Sequence, residues 1–437
     1  MDILIAPWGD PSNWKIVSYR YKEGCSASFS SSLALSRLLN ISADDTITIV
    51  TTTLIDEPVR DYVGLERTIK EKVASIVKAK NEKVRSIADR YKPVDTEPRI
   101  WVVPGIGTFR LNSEVFIHEG ITDLYYNTVY HATLRFLEER ITRSTDGAND
   151  SIRIHIDITH GVNYMPLLTV EAIMRAASTL ASTKGIRVDL TVYNSDPLYP
   201  FPKDDDPSII LNINEISNSR HDGYSSLPDL LMEFVSSYNL NYYRWRRIGG
   251  NDDIKDDEIK IIHKAAKAAA FGLLLVVGSL RERLNTYYSI VDKKLAELPT
   301  INVNSGNVRI QYKDRVRREA AVLHSVLKAL TSIDAMKEMP LSKIEELNDR
   351  YYKRVEPVNA IVGEELSKIK KNIAGSDYRL LGEVMDSDFD SSKKCRCNMR
   401  IMYAHGGFEK NVTYIKKEGR EMYLTYGECL DEILNQI

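Results

Sequence analysis

The stretch Ile152-Arg-Ile-His-Ile-Asp157-Ile-Thr159-His160-Gly161-Val-Asn163-Tyr-Met-Pro166 changes its pattern twice. Apolar residues first alternate with Arg153, His155 and Asp157, the period of two that marks a strand. Thr159-His160-Gly161 breaks that alternation, and Leu167–Leu180 then carries a strong helical pattern. Pro166 suits the first turn of that helix, and Asn163 is placed to cap it. Outward from this unit the same signals recur. Ile3–Ala6, Thr46–Thr53, Ile100–Val103, Val188–Tyr193 and Ile209–Ile213 read as strands, and Ser26–Leu39, Val63–Arg90 and Gly120–Arg140 as helices. Strands alternating with helices predict an α/β, Rossmann-like domain over residues 1–215, with a mainly parallel sheet covered on both faces.

Ligands of such sheets bind beyond the carboxyl ends of the strands, where backbone N–H groups and helix N-termini face outward. Small and polar residues gather at those ends here. Trp8-Gly9-Asp10-Pro-Ser-Asn-Trp14 follows the first strand, Thr51-Thr52-Thr53 the second and Pro104-Gly105-Ile-Gly107 the third. Asp157 to Asn163 and Asn194-Ser195-Asp196 follow the next two. The candidate ligand-binding residues are Gly9, Asp10, Trp14, Ser28, Ser30, Asp157, Thr159, His160, Gly161 and Asn163. Hydroxyls such as Ser28 and Ser30 suit phosphate or ribose oxygens, and Trp8 and Trp14 are either adenine-stacking or core residues. Gly105-Ile-Gly107 lacks the third glycine of a dinucleotide fingerprint and no P-loop occurs, which sets NAD and ATP aside.

Polar, turn-rich residues 202–224 read as a domain junction, and residues 216–437 as a mostly α-helical domain. Helical periodicity covers Leu227–Val235, Ile259–Arg283, Val316–Leu330 and Ile344–Lys371. Two hairpin signals interrupt it, one near 301–312 around Ser305-Gly306 and one over Val412–Tyr426, before a terminal helix from Glu428. Asn241-Tyr-Tyr-Arg-Trp-Arg-Arg247 mixes aromatics with arginines, either as an RNA-facing surface or as a helix end with snorkelling arginines. Near the C-terminus, Met399–Ala404 reads as a packed helix stopped by Gly406-Gly407, which puts His405 in its last turn. Residues five apart on a helix point roughly 140° away from each other. Arg400 and His405 therefore converge only through distortion, or through a second copy of the chain.

Composition bounds the function. The chain has 437 residues, 43% apolar and 27% charged, with a net charge of −2. That excludes a global basic field of the kind that grips duplex DNA. Four cysteines, of which only Cys395 and Cys397 are close in sequence, predict neither a disulfide framework nor a zinc site. The start Met-Asp-Ile-Leu-Ile-Ala-Pro is unlike a signal peptide, and the apolar run Ala268–Val277 is too short to cross a bilayer. The expectation is a cytoplasmic protein without membrane contact.

The segment Asp157-x-Thr159-His160-Gly161-x-Asn163-x-x-Pro166 resembles the CRISPR-associated Rossmann-fold (CARF) domain, and Arg400-x4-His405-Gly-Gly-Phe408 resembles the Arg-x4-6-His motif of HEPN ribonucleases. In that family a polar residue usually follows the arginine; here Ile401 stands there, with Asn398 two places before Arg400 and a second arginine at Arg396. The order of the two motifs over the whole chain is similar to the CARF–HEPN ribonucleases of type III CRISPR immunity. The resemblance implies a homodimer, allosteric activation by a cyclic oligoadenylate bound across two CARF domains, and a composite site for single-stranded RNA. Arg400 and His405 are its candidate catalytic residues, with Asn398 beside them. The 2′-hydroxyl of RNA serves as nucleophile, so metal-independent cleavage to a 2′,3′-cyclic phosphate is expected, and no cofactor. A two-fold site suits a ring with an even number of nucleotides, and the resemblance favours cyclic tetraadenylate. The alternatives are a ligand-sensing transcription regulator and a ring nuclease that degrades the activator.

Overall fold

The computed structural model describes residues 1–57, 59, 61–87, 97–111, 114–143, 151–240, 245, 254–297, 300–304, 307–311, 317–372 and 374–437. Two compact units emerge. One holds Met1–Ala177, Arg187–His221 and Ala296–Arg318; the other holds Ser178–Ile186, Asp222–Leu295 and Glu319–Ile437.

The first unit is built on β1 (Asp2–Pro7), β2 (Val17–Tyr21), β3 (Gly24–Ser28), α1 (Ser31–Leu38), β4 (Thr46–Thr51), α2 (Tyr62–Ile87) and β5 (Arg99–Val103). It continues with β6 (Ile106–Leu111), β7 (Glu114–Glu119), α3 (Thr122–Arg143), β8 (Ser151–Asp157), α4 (Met165–Lys184), β9 (Arg187–Ser195) and β10 (Ile210–Asp222). Eight strands form one sheet in the order β3-β2-β10-β9-β8-β1-β4-β5. β1 pairs in parallel with β4 and β8, β8 with β9, β4 with β5, and β10 with β2. Strands covered on both faces read as near-continuous apolar runs. Accordingly Leu4, Ala6, Trp8 and Val50 join one core with α1 and α2, while Ile3, Ile5, Ile47 and Ile49, a residue out of phase, are equally buried. Trp8 is thus a core residue, its Nε1 donating to Ser32 Oγ (3.0 Å).

Three segments differ from the sequence reading. Ser26–Ser28 belongs to β3, and the helix starts only at Ser31, because an antiparallel β2–β3 hairpin claims those residues. Much of the polar junction is β10, whose residues alternate between buried and exposed up to Asn214 and are mostly exposed beyond, an amphipathic pattern weaker than that of a fully covered strand. The 301–312 signal does form a hairpin, β11 (Thr300–Asn304) and β12 (Asn307–Gln311), yet β12 pairs in parallel with β7. The resulting sheet β11-β12-β7-β6 belongs to the first unit, although the sequence position placed the hairpin among the helices.

The second unit packs α5 (Leu227–Leu240), α6 (Asp256–Ala270), α7 (Leu274–Leu295), α8 (Glu319–Ser332), α9 (Leu341–Tyr352) and α10 (Glu356–Lys370). The Ile259–Arg283 pattern breaks at Gly272, whose φ of +78° ends α6. Ile344–Lys371 likewise splits before Pro357, which suits the first turn of α10. A small sheet combines β13 (Met339–Pro340), β14 (Arg379–Leu380), β15 (Tyr414–Glu418) and β16 (Glu421–Thr425), the last two being the expected hairpin. α11 (Leu381–Met385), α12 (Met399–Ala404) and α13 (Leu430–Gln436) complete it. Of the Asn241–Arg247 segment only Trp245 is among the described residues, and it is buried. Among the described residues no helix is long and apolar enough to cross a membrane.

Burial makes this fold sensitive to acid. His118, 3% exposed with Nδ1 3.0 Å from Thr52 Oγ1, has its pKa lowered to about 4 by desolvation. The unfolded imidazole takes up a proton near pH 6.5 that the folded one refuses until about pH 4. Stability therefore falls as pH drops through that window, by about 1.4 kcal/mol per unit for this group. Urea midpoints measured at pH 7 and pH 5 should converge in His118→Gln by roughly that share.

Candidate functional site

In the first unit β1 runs between two parallel neighbours, β4 on one side and β8 on the other. The crevice beyond these carboxyl ends is where such sheets take ligands. A cleft of about 620 Å³ lies there, lined by Trp14, Tyr19, Phe29, the Thr159–Gly161 turn, Asn194–Asp196 and Phe201, among others. Trp14 stacks on the His160 ring at 4.0 Å and 20°. His160 Nε2 accepts from the Ser31 N–H at the start of α1 (3.2 Å) and lies 3.4 Å from Tyr19 Oη. Desolvation lowers the His160 pKa to about 3, so at neutral pH the ring is uncharged. It serves as a flat, hydrogen-bonded wall.

Beneath this wall lies Asp157, 1% exposed. Its Oδ2 accepts from Ser31 Oγ and its Oδ1 from the Thr159 hydroxyl, both at 2.5 Å, and from the Thr159 N–H at 3.1 Å. Thr159 Oγ1 in turn accepts from the Ser195 N–H (2.9 Å). Burial pushes the Asp157 carboxyl up, and these hydrogen bonds oppose the shift.

Of the residues singled out from the sequence, Trp14, Thr159, His160 and Gly161 line the cleft, and Asp157 supports it from below. Gly9 packs against the turn: its N–H donates to the His160 carbonyl (2.9 Å), and a Cβ there would meet Val162 at 2.5 Å. Asp10 caps the short turn Pro11–Asn13. Ser28 and Ser30 are buried and hydrogen-bonded within the α1 start, away from the cleft lining. Asn163 is exposed with a φ of +53° and does not line the cleft. Lys15, Leu198 and Phe201 lie in the loops after β1 and β9, just beyond the residues singled out there, and Tyr19 sits within β2.

In the second unit, Arg400 and His405 occupy the two ends of α12. Asn398 is its N-cap, its side chain accepting from the N–H groups of Arg400 (3.0 Å) and Ile401 (3.4 Å). His405 is the C-cap rather than the last helical residue, with φ −113°. Gly407 N–H returns to the Met402 carbonyl (2.9 Å) and Gly406 N–H to that of Tyr403 (3.3 Å), with φ values of +90° and +56°. This paired closure needs left-handed residues, which glycine supplies without strain. The cap releases His405 from the helix axis. Its side chain stays 44% exposed, and Nδ1 sits 3.2 Å from Glu365 Oε2 on α10. Glu365 Oε1 is held by Lys368 Nζ at 2.7 Å. Arg400 is exposed. Glu365 was not legible in sequence, one glutamate among several on a helix some forty residues upstream.

A disulfide links Cys395, just before α12, to Cys429 at the start of α13, with Cα atoms 4.9 Å apart. The sequence reading, which expected no disulfide framework, is corrected by this one bond: the two cysteines are 34 residues apart in the chain, with α12 and the β15–β16 hairpin between them. Cys395 also takes a left-handed φ of +57°.

The family description CRISPR system endoribonuclease Csx1, CARF domain, matches residues 3–197, and Csx1, HEPN domain, matches residues 355–428. A protein described as CRISPR system endoribonuclease Csx1, from Methanocaldococcus jannaschii, is 28% identical over 450 residues, spanning 96% of this chain and 88% of the relative.

The cross-link gives a measurable consequence. Closing a loop of 34 residues constrains the unfolded chain by about 3–4 kcal/mol. The double variant Cys395→Ser/Cys429→Ser should lose about that much stability in denaturant unfolding, and a reductant should lower the parent protein and leave the variant unchanged.

Proposed function

We propose, from the match to both the CARF and the HEPN domain descriptions of the CRISPR system endoribonuclease Csx1, that His405 and Arg400 cut single-stranded RNA under the control of a cyclic oligoadenylate. The observation that carries this reading is His405 itself: a half-exposed imidazole at a helix end, with Nδ1 3.2 Å from Glu365 Oε2. RNA brings its own nucleophile. A 2′-hydroxyl in line with the scissile phosphorus needs orientation, proton transfer and charge stabilisation. His405 moves the proton, since an imidazole can both take one up and give one away. Arg400 holds the phosphate oxygens through its planar, permanently charged fork. Glu365 is a positioning residue that keeps the imidazole in one tautomer. Since Arg400 and His405 sit at opposite ends of α12, two copies of the helix meeting at a dimer axis would supply the convergence that one helix lacks.

The regulatory half of the proposal rests on the cleft beyond β1 and β8. Its Trp14–His160 stack offers a flat surface for a base, and neutral His160 attracts no phosphate by charge. Two clefts related by a dyad share a ring of even size, and cyclic tetraadenylate is the activator we expect. With Nε2 spent on the Ser31 N–H, His160 is poorly placed as a proton donor. The binding reading is therefore favoured over ring cleavage.

RNA cleavage measured with and without cyclic tri-, tetra- and hexaadenylate tests both halves. His405→Ala and Arg400→Ala should each lose roughly 10²- to 10⁴-fold in rate while keeping ring affinity. A dead Arg396→Ala beside an active Arg400→Ala would transfer the role to Arg396. Glu365→Gln should lose about tenfold and shift the pH–rate profile, as befits a group that orients a base. Products should carry 2′,3′-cyclic phosphate and form in EDTA, and a 2′-deoxy nucleotide at the cut site should block the reaction. One ring bound per monomer would overturn the shared-ring account.

A further inference from the structure

A second cavity, of about 460 Å³, opens in the helical unit beside the His405 end of α12. Phe271, Tyr403, Met232, Val358 and Ile361 supply most of its wall, and Asp229 is the one charged residue lining it. Tyr403 and Gly406, both cavity residues, bracket His405 in the chain. Val358, Ile361 and Glu365 follow one another at i, i+3 and i+7 on α10, so they share a face. Glu365 holds His405, and Ile361 lies one turn away, about 6 Å along the helix. The cavity therefore lies beside the residue that carries the imidazole, since Tyr403 and Gly406 line it on either side of His405 in the chain.

We infer that this cavity takes a purine base of the RNA next to the scissile phosphate and so sets where the chain cuts; the inference rests on the catalytic reading above. Its chemistry selects that occupant. Phe271, 41% exposed and 5.1 Å from the Tyr403 ring, presents an aromatic face at the opening. Proteins read unpaired RNA bases by stacking them on such rings and by hydrogen-bonding their edges. A lone carboxylate repels phosphate, which keeps the backbone out. It accepts from an exocyclic amine, which adenine, guanine and cytosine carry and uracil lacks, so the choice of a purine rests on stacking and size. Purines also offer the larger face for stacking and fill more of the volume than pyrimidines.

The test uses the full chain, activated by cyclic tetraadenylate, on deoxy-oligonucleotides carrying one ribonucleotide at the cut site. That position is A, G, C, U or purine riboside, which lacks the amine. The parent protein should cut A and G about tenfold faster than C and U, and Phe271→Ala should erase most of that preference. Asp229→Asn should leave the purine preference and narrow the gap between A and purine riboside. Unchanged ratios in both variants would overturn the inference. So would an even loss on all five substrates together with altered sedimentation, which would assign the cavity to a second copy of the chain. Binding of all-deoxy oligonucleotides separates the two readings. If His405→Ala still cuts while Phe271→Ala binds purine-rich strands less tightly than the parent, the catalytic assignment fails and the pocket stands.

Discussion

The ligand cleft depends on one buried carboxylate. Asp157 takes hydrogen bonds from Ser31 at the head of α1 and from Thr159 in the turn after β8, and Thr159 passes the linkage to Ser195 at the end of β9. Three segments distant in sequence are thus tied at one point, and they are the walls of the cleft. A charge buried without partners costs several kcal/mol or neutralises, so the three donors are a condition of having an aspartate there. With the turn pinned, His160 reaches the Ser31 N–H, and Trp14 can stack on it. Removing one donor loosens the other walls as well, since each hydrogen bond orients the group that makes the next.

How much of this was legible in the sequence follows from where the information lies. The parallel strands were readable because burial on both faces writes itself as runs such as Thr46–Thr51. The β2–β3 hairpin was not, since Gly24–Ser28 carries small residues whose strand character comes from pairing with Val17–Tyr21. Thr159-His160-Gly161 stood out as a break in alternation and does line the cleft. Ser28 and Ser30 stood out by type alone, yet their hydroxyls satisfy the α1 start, a role that composition does not distinguish from ligand contact. Tyr19 reaches the cleft from within β2 and nothing local marks it, whereas Phe201 lies farther along the loop that Asn194-Ser195-Asp196 begins.

The catalytic end was read with a similar split. Gly406-Gly407 announced the stop of α12 because left-handed backbone is a local requirement. Glu365 and Cys429 were silent, being long-range partners of His405 and Cys395. Both lie on elements with their own reasons to exist, so their sequence context reports helix propensity and nothing of the contact.

A helix as short as α12, Met399–Ala404, gains little from its own hydrogen bonds, because most of its backbone groups are end groups. Its geometry is imposed from outside. Asn398 satisfies two N–H groups at one end, and its own N–H donates to buried Glu409 (2.9 Å). The Gly406-Gly407 closure satisfies carbonyls at the other, and the Cys395–Cys429 link fixes the chain just ahead. Asn398 is thereby committed to holding the helix, which gives it a structural task even as it neighbours the proposed site. The two candidate side chains, Arg400 and His405, are left exposed and half-exposed at opposite ends of a rigid rod. Such a rod presents them without being able to bring them together.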